Sequence, residues 1–499
     1  MVPHWPRRCS LLLLSLLYPL LTSAHSFENT AVVRTIDLGG SLVQVTTTYA
    51  VKALENGATV YTLALAEREH KRTSWLEAKI KGQQEILPME SAGFDADSGV
   101  YLYSVELPQA LSTDGTTHLV VEAIETHATY PWPEEAGQKD DQALKYESDL
   151  FVVSPYKTSV ERIKLKSPSP NIISYSTPDG LDEFTMDVPV TKSGVTITYG
   201  PFHNIPVTTD AAFLKLKQKK IAVHYGYDHP ILEVTELKRS AEISHWGANL
   251  NIEDKIHLHN AGPKLKGHFS RLEHQASSFF GRLPPHVMPS VSLHLPPDIR
   301  SPYYYDLIGN VSTSRLRVGH LPTEQFSLLE LRPRYPLLGG WNYSFTLGWD
   351  SPLSNYAGYD KNTGKYVIGV PLMTLVPGAA VDDAEIQIIL PEGATYVVSR
   401  RAMTDSQHPS HSDVDFFPPF PPIQSYVKTH ITYLDTVGRP VVVLEYKDLT
   451  TRHAGTIYVT YKVPLSAHLK KPLAVATAFM GLFVLGFAVK RMDVRIQKK

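Results

Sequence analysis

Cysteine is almost absent from this chain of 499 residues: the single Cys9 sits near the N-terminus, ahead of every region that could fold. Disulfides, thiol nucleophiles, CxxC redox pairs and cysteine-ligated zinc are therefore excluded from the folded part. An excess of charge of one sign is also missing, with 48 Lys plus Arg against 50 Asp plus Glu. No net field draws in nucleic acid or an acidic polymer. The signatures HExxH, Walker A, GxGxxG and GxSxG do not occur. Helical periodicity is scarce outside the C-terminal region. Its best stretch is Asp210 to Lys220, whose charged face predicts a solvent-facing or linker helix.

Long hydrophobic runs are confined to two places. Arg7 and Arg8 precede an apolar run from Leu11 to Leu21, too short for a bilayer span. It reads as a signal peptide over residues 1–24, with small residues at Thr22 and Ala24 placing cleavage between Ala24 and His25. A retained N-terminal anchor is the alternative. The second run, Pro472 to Val489, is 18 residues without a charge, bracketed by Lys470 and Lys471 on one side and Lys490, Arg491 and Arg495 on the other. It predicts a transmembrane helix over 472–489, with a cytosolic tail at 490–499 whose five basic residues obey the positive-inside rule. The expected product is a single-pass type I membrane protein, N-terminus lumenal.

Between the two runs the chain alternates apolar or β-branched with polar residues in short stretches broken by Gly, Pro and Asn, as in Ser41 to Val51, Gly194 to Tyr199 and Pro440 to Tyr446. The fold class is therefore mostly β, with antiparallel sheets packed as sandwiches. The length predicts two or three domains. Arg34 to Gly57 aligns without gaps to Arg239 to Gly262, each running basic, small, apolar, acidic, then β-like, to a Gly turn. Chance would also produce so short a match. Two tandem lumenal domains are expected, at 25–228 and 229–468. A Pro, His and Phe rich segment, Ser406 to Gln424, reads as a loop interrupting the second, one that cannot join a sheet.

With 21 histidines, metal binding needs testing. His257 and His259 at i and i+2 share one face of a strand, but two ligands are insufficient, so half-exposed sheet histidines are the better reading. His408, His411 and Asp413 lie in the Pro-rich loop, a poor scaffold for a coordination shell. Glu67, Glu69, Glu134 and Glu135 could serve a glycosidase only across a cleft, and Glu67 to Lys71 reads as a solvated charge run without a role. No catalytic residue, metal ligand or cofactor is assigned. Two sequons, Asn310-Val311-Ser312 and Asn342-Tyr343-Ser344, predict N-glycosylation at Asn310 and Asn342.

An ordered set of blocks resembles the ribophorin I family: RTIDL at 34–38, YGPF at 199–202, ISHWG at 243–247, LKGHFSR at 265–271, IGNVSTS at 308–314, RPRYPLLGGW at 332–341, LPEGA at 390–394 and YLDTVGRPV at 433–441. Taken alone these read as turn and packing chemistry, with Trp246 and Trp341 as core or interface anchors. The short tail resembles the fungal form of the family. The resemblance implies two lumenal β-rich domains, one C-terminal span and residence in the endoplasmic reticulum membrane. It implies a non-catalytic subunit of the oligosaccharyltransferase complex, which moves a preassembled oligosaccharide from dolichyl diphosphate to Asn of Asn-X-Ser/Thr in nascent polypeptides. Partners would be the other subunits, including the catalytic one, and acceptor polypeptide. The WWDYG motif of the catalytic subunit is absent here. A membrane-tethered lumenal hydrolase is the rival reading, and a surface receptor a third.

Overall fold

The structure is a computed structural model that describes residues 26–185, 188–395, 415–432, 435 and 438–491. The expected signal peptide with its Ala24–His25 junction, His408, His411, Asp413 and most of the tail lie outside these residues. The described chain forms two compact units. The first holds the residues up to Leu232 together with Asn260–Met288 and Leu338–Trp341; the second holds Glu233–His259, Pro289–Leu337 and the rest from Asn342 onward.

Each unit is built on one seven-stranded sheet. In the first its strands are β1 (Phe27–Asp37), β2 (Leu42–Ala53), β3 (Thr73–Ile80), β4 (Thr116–Thr126), β5 (Thr158–Lys166), β6 (Val190–Ser193) and β7 (Thr196–Ile205), in the spatial order β6-β7-β5-β1-β2-β4-β3. In the second they are β8 (Leu232–Ser244), β9 (Asn249–Asn260), β10 (Arg300–Asp306), β11 (Asn342–Pro352), β12 (Ala380–Ile389), β13 (Gln424–His430) and β14 (Arg439–Leu449), ordered β13-β14-β12-β8-β9-β11-β10. Adding seven to each label of the first sheet reproduces the second. In both, the first strand lies at the centre between the second and the fifth, and the fifth runs parallel to it.

A parallel neighbour requires a long crossover, and the crossovers carry further strands. Between β4 and β5 runs Ala143–Asp149, part of a four-stranded sheet, and between β11 and β12 run Ala357–Asp360 and Lys365–Pro371, part of another. Otherwise the pairing within both large sheets is antiparallel where a register is defined. The sequence match of Arg34–Gly57 with Arg239–Gly262 thus coincides with the hairpins β1–β2 and β8–β9. Arg34 and Arg239 both face inward, opposite Ile163 and Ile386 on the parallel neighbours. The two units share one plan.

Alternation decides which residues share a face. On β1, Val32, Arg34 and Ile36 point inward, and on β8, Leu237, Arg239 and Ala241 do so. In the first unit the inner face carries two apolar clusters. One gathers Ile36, Val45, Tyr146, Tyr199 and Tyr225; the other gathers Val32, Tyr49, Tyr61, Val105 and Leu119. Arg34 stands between Val32 of one and Ile36 of the other.

Four α-helices occur among the described residues: α1 (Glu67–Arg72), α2 (Ala211–Leu216), α3 (Arg271–Phe279) and α4 (Leu465–Arg491). The helix expected over Asp210 to Lys220 is shorter. Asp210 caps α2 by accepting from the Ala212 N–H, Phe213 is buried, and Lys220 already begins a strand. The Pro and Phe rich segment also departs from expectation. Asp415–Phe417 does join a sheet, as an edge strand on Thr456–Tyr461, because an edge tolerates the prolines that follow. Phe420 then packs edge-on against Tyr446 and His453, with ring centroids 5.0 and 4.8 Å apart. Phe420 thus covers its own domain, whereas Phe417 is exposed.

Candidate functional site

Charge buried inside the first unit is the most conspicuous chemistry. Arg34 donates to Glu69 at 2.7 Å, and their side chains are 5% and 13% exposed. Glu69 lies on α1, in the run expected to be solvated and without a role. The helix turns this one carboxylate onto a strand arginine that the sequence did not show to be buried, while Glu67 and Lys71 of the same run form an exposed i, i+4 pair. Glu125 is pushed up to about 7 by burial, and Tyr146 donates to it. Glu161 is pushed up to about 8 by burial, although the Val152 N–H donates to it at 2.7 Å. Arg34, Glu69 and Glu125 border a cavity of about 40 Å3, room for a water molecule but for no substrate.

The second unit repeats the device with different partners. Arg239 donates through Nε and Nη2 to both carboxylate oxygens of Asp254 at 2.7 and 2.6 Å, and to Thr374 Oγ1 and the Pro371 carbonyl. It lies 5.9 Å from the ring of Trp349, which is fully buried. Every contact is internal, tying the large sheet to the strand ending at Pro371, so the arrangement is a brace. Trp349 is the core tryptophan of this unit. Trp246, expected as an anchor, is 67% exposed, and Trp341 is half-buried with its ring 5.6 Å from Phe269.

The histidines and remaining carboxylates singled out in the sequence, His257, His259, Glu253, Glu134 and Glu135, do not converge. His257 and His259 do share a face, but His257 bonds with Ser344 and His259 with Asn342. Glu253 accepts from Tyr303, and Glu134 and Glu135 are exposed. Both sequon asparagines have exposed side chains. Asn310 stands on a loop braced by Arg334, which pairs with Asp306 and donates to the carbonyls of Gly309 and Asn310. Asn342 opens β11, and its Oδ1 faces His259.

At the root of α4, several blocks meet that are scattered along the sequence. Lys471 on the helix donates to Asp435 at 2.8 Å and pairs with Glu392 at 3.5 Å, and Asp435 and Glu392 are themselves buried. Although burial alone would raise it, Lys471, Thr432 and Arg439 hold the Asp435 carboxyl well below the usual carboxylate range. Arg439 also pairs with Glu242. Gly393 has φ +75°, and a Cβ there would lie 2.6 Å from that of Ala467 in the helix's first turn. Only glycine fits that position. His468, one residue further, stacks on His245 at 5.5 Å. Beyond this collar α4 buries none of its side chains, and its leucines and phenylalanines point outward. It is the one helix among the described residues long and apolar enough to cross a membrane. Sequence reasoning saw Lys471 only as a flank of the span. Its pairing with carboxylates more than 30 residues upstream left no local signal.

Beside the collar opens a pocket of about 470 Å3 within the second unit, lined by His245, Trp246, Tyr359, Tyr366 and His468 among others. Its floor is rigid: His245 bonds the Tyr461 hydroxyl at 2.8 Å and meets the Tyr366 ring at 4.5 Å. Burial, then the neighbouring His468, lower the His245 pKa to about 4, so that imidazole is neutral.

The profile of the Ribophorin I family matches residues 27–490. Subunit 1B of dolichyl-diphosphooligosaccharide–protein glycosyltransferase from Oryza sativa subsp. japonica is 31% identical over 93% of this chain and 91% of its own length. Its Arabidopsis thaliana counterpart is 29% identical over 96% of each, and subunit 1 from Caenorhabditis elegans is 28% identical over 93% of this chain and 72% of its own. Among solved structures, yeast LTA4 hydrolase aligns over 44% of this chain with a TM-score of 0.26 and 14% identity, a likeness too low to carry an argument. The blocks that meet at the root of α4, ISHWG, LPEGA and YLDTVGRPV, all lie within the matched span, and on that match, which covers nearly every residue described, the chain belongs to the ribophorin I family.

Proposed function

We propose that this protein is a membrane-anchored, non-catalytic subunit of an oligosaccharyltransferase complex of the endoplasmic reticulum. In this reading both compact units stand in the lumen and the basic tail in the cytosol. Transfer of the oligosaccharide from dolichyl diphosphate to Asn of Asn-X-Ser/Thr is carried out by a partner subunit. This chain organises the assembly and helps to present acceptor polypeptide. The observation that carries the reading is the family match over residues 27–490, joined to the one helix among the described residues long and apolar enough to cross a membrane, which Asp435, Glu392 and Gly393 clamp to the second unit. A helix clamped in this way transmits the position of the ectodomain to the bilayer, which suits a scaffold.

Affinity purification of the tagged full chain in mild detergent, followed by mass spectrometry, tests this. Several membrane subunits should co-purify, among them a many-span protein carrying WWDYG, and the eluate should glycosylate an acceptor peptide. Alanine at His257, His259 or Glu253 should leave turnover of the intact complex unchanged. A chain that extracts alone, or an assembled complex that loses turnover by orders of magnitude with one of these substitutions, would overturn the proposal.

A further inference from the structure

The pocket at the root of α4 has a position that its composition explains. His468 lies four residues before Pro472, where the charge-free run begins, so along a helix it stands about 6 Å above the hydrocarbon edge. That is headgroup depth, since the polar region adds about 5 to 7 Å on each side of the apolar core. Trp246 and Tyr359, 67% and 54% exposed, flank the opening, and tryptophan and tyrosine are the side chains that favour this layer.

The lining also discriminates. The pocket wall contains no Asp, Glu, Lys or Arg: beyond the rings named it is Ala248, Leu353, Ser354, Ala357 and Gly358. An anionic headgroup would find no cation there. A primary ammonium, strongly hydrated, would find no carboxylate to replace its water. A sugar could stack on the rings, yet only Ser354 and the phenolic hydroxyls could bond its hydroxyl groups. A trimethylammonium group is weakly hydrated and is drawn to aromatic faces without needing a counter-charge. Tyr359 and Tyr366 stand with ring centroids 4.7 Å apart, and Trp246 presents the strongest π surface available.

We propose that this pocket seats the choline headgroup of a phospholipid from the leaflet facing the second unit, held by Trp246, Tyr359 and Tyr366 at the root of α4. The seated lipid would fix how the ectodomain rests on the membrane, beyond what the Lys471 clamp does for the helix alone.

The test uses the full chain purified in a maltoside detergent and mixed with equal amounts of dioleoyl phosphatidylcholine, phosphatidylethanolamine and phosphatidylglycerol, with retained lipid read by native mass spectrometry. One phosphatidylcholine should stay bound in preference to the others. Trp246→Ala with Tyr359→Ala should lower its retention about tenfold, as expected for the loss of two aromatic faces. Leucine at both positions should do the same, because it keeps apolar area and removes the π faces; phenylalanine at both should retain the lipid. Both side chains are largely exposed, so all these variants should melt with the wild type. Equal retention of the three lipids, an unchanged alanine pair, a leucine pair that binds as wild type or a phenylalanine pair that does not would each overturn the proposal.

Discussion

Arg34 and Arg239 occupy equivalent places on the central strands of the two units, and each is buried where charge is costly unless paired. Their partners differ. Asp254 comes from the adjacent strand, whereas Glu69 comes from a short helix, so the solution is repeated in kind and not in residues. Removing one partner of such a pair costs about 3 to 5 kcal/mol, and Asp254→Ala should therefore unfold the second unit well before the first. Trp349→Ala should cost about 3 to 5 kcal/mol, while Trp246→Ala, at an exposed position, should change stability by about 0.5 kcal/mol or less. Denaturant titration of the full chain reads both. The first unit also stores a pH dependence. Burial raises Glu125 to about 7 and Glu161 to about 8, against roughly 4.3 for an unfolded glutamate. Between those limits the folded state binds more protons, so the stability these groups contribute is complete below about pH 4 and is lost as pH rises through 7 to 8. The urea midpoint should be higher at pH 5.5 than at pH 8.5. Glu161→Gln, which still accepts from the Val152 N–H, should remove its share of that slope, on the order of a few kcal/mol. A variant with the wild-type slope would contradict this account.

At the scale of elements, the root of α4 is where backbone and charge coincide. Gly393→Val places a branched side chain at positive φ and against Ala467, so it should release the helix from the second unit. Lys471→Ala leaves the buried Asp435 carboxylate to Thr432 and Arg439 alone, at a cost of about 1 to 3 kcal/mol. In either variant, protease should cut between the ectodomain and the helix faster than in wild type, while the core of the first unit keeps its resistance. An unchanged cleavage rate would show that the collar does not hold the helix. The Pro and Phe rich strand divides in the same manner. Phe420→Ser should lower the melting temperature because its ring lies on Tyr446 and His453, and Phe417→Ser, at a residue 55% exposed, should not.

For the molecule as a whole, the proposed orientation predicts that protease added to sealed microsomes removes only the basic tail. Loss of a large fragment would reverse the topology. With the units lumenal, both sequons become available to glycosylation, and endoglycosidase should shift the mobility of wild type but not of an Asn310→Gln, Asn342→Gln double variant. Asn310, on its braced exposed loop, should carry most of the shift; Asn342, engaged with His259, should carry less. The two units repeat one strand order, and each draws most of its residues from its own stretch of chain, with Asn260–Met288 and Leu338–Trp341 returning to the first.

Strand periodicity, the apolar run and its basic flanks are local properties, and they carried the fold class and the long apolar helix, whereas the aligned hairpins at Arg34 and Arg239 only suggested a repeated plan, which the matching strand orders of the two sheets established. The ordered blocks identified the family for a similar reason, since glycine and proline turns leave their mark on the residues that make them. What the blocks are for could not be read in this way. ISHWG, LPEGA and YLDTVGRPV lie far apart in the chain, and they share a purpose only because the second unit brings them to the first turns of α4. Nor could burial of charge be read locally. Glu67 and Glu69 sit two residues apart in one polar run, yet one faces water and the other an arginine inside the core. Alternation says which residues share a face but not which face another layer will cover, and that assignment comes only when the crossover strands and helices are laid down in three dimensions.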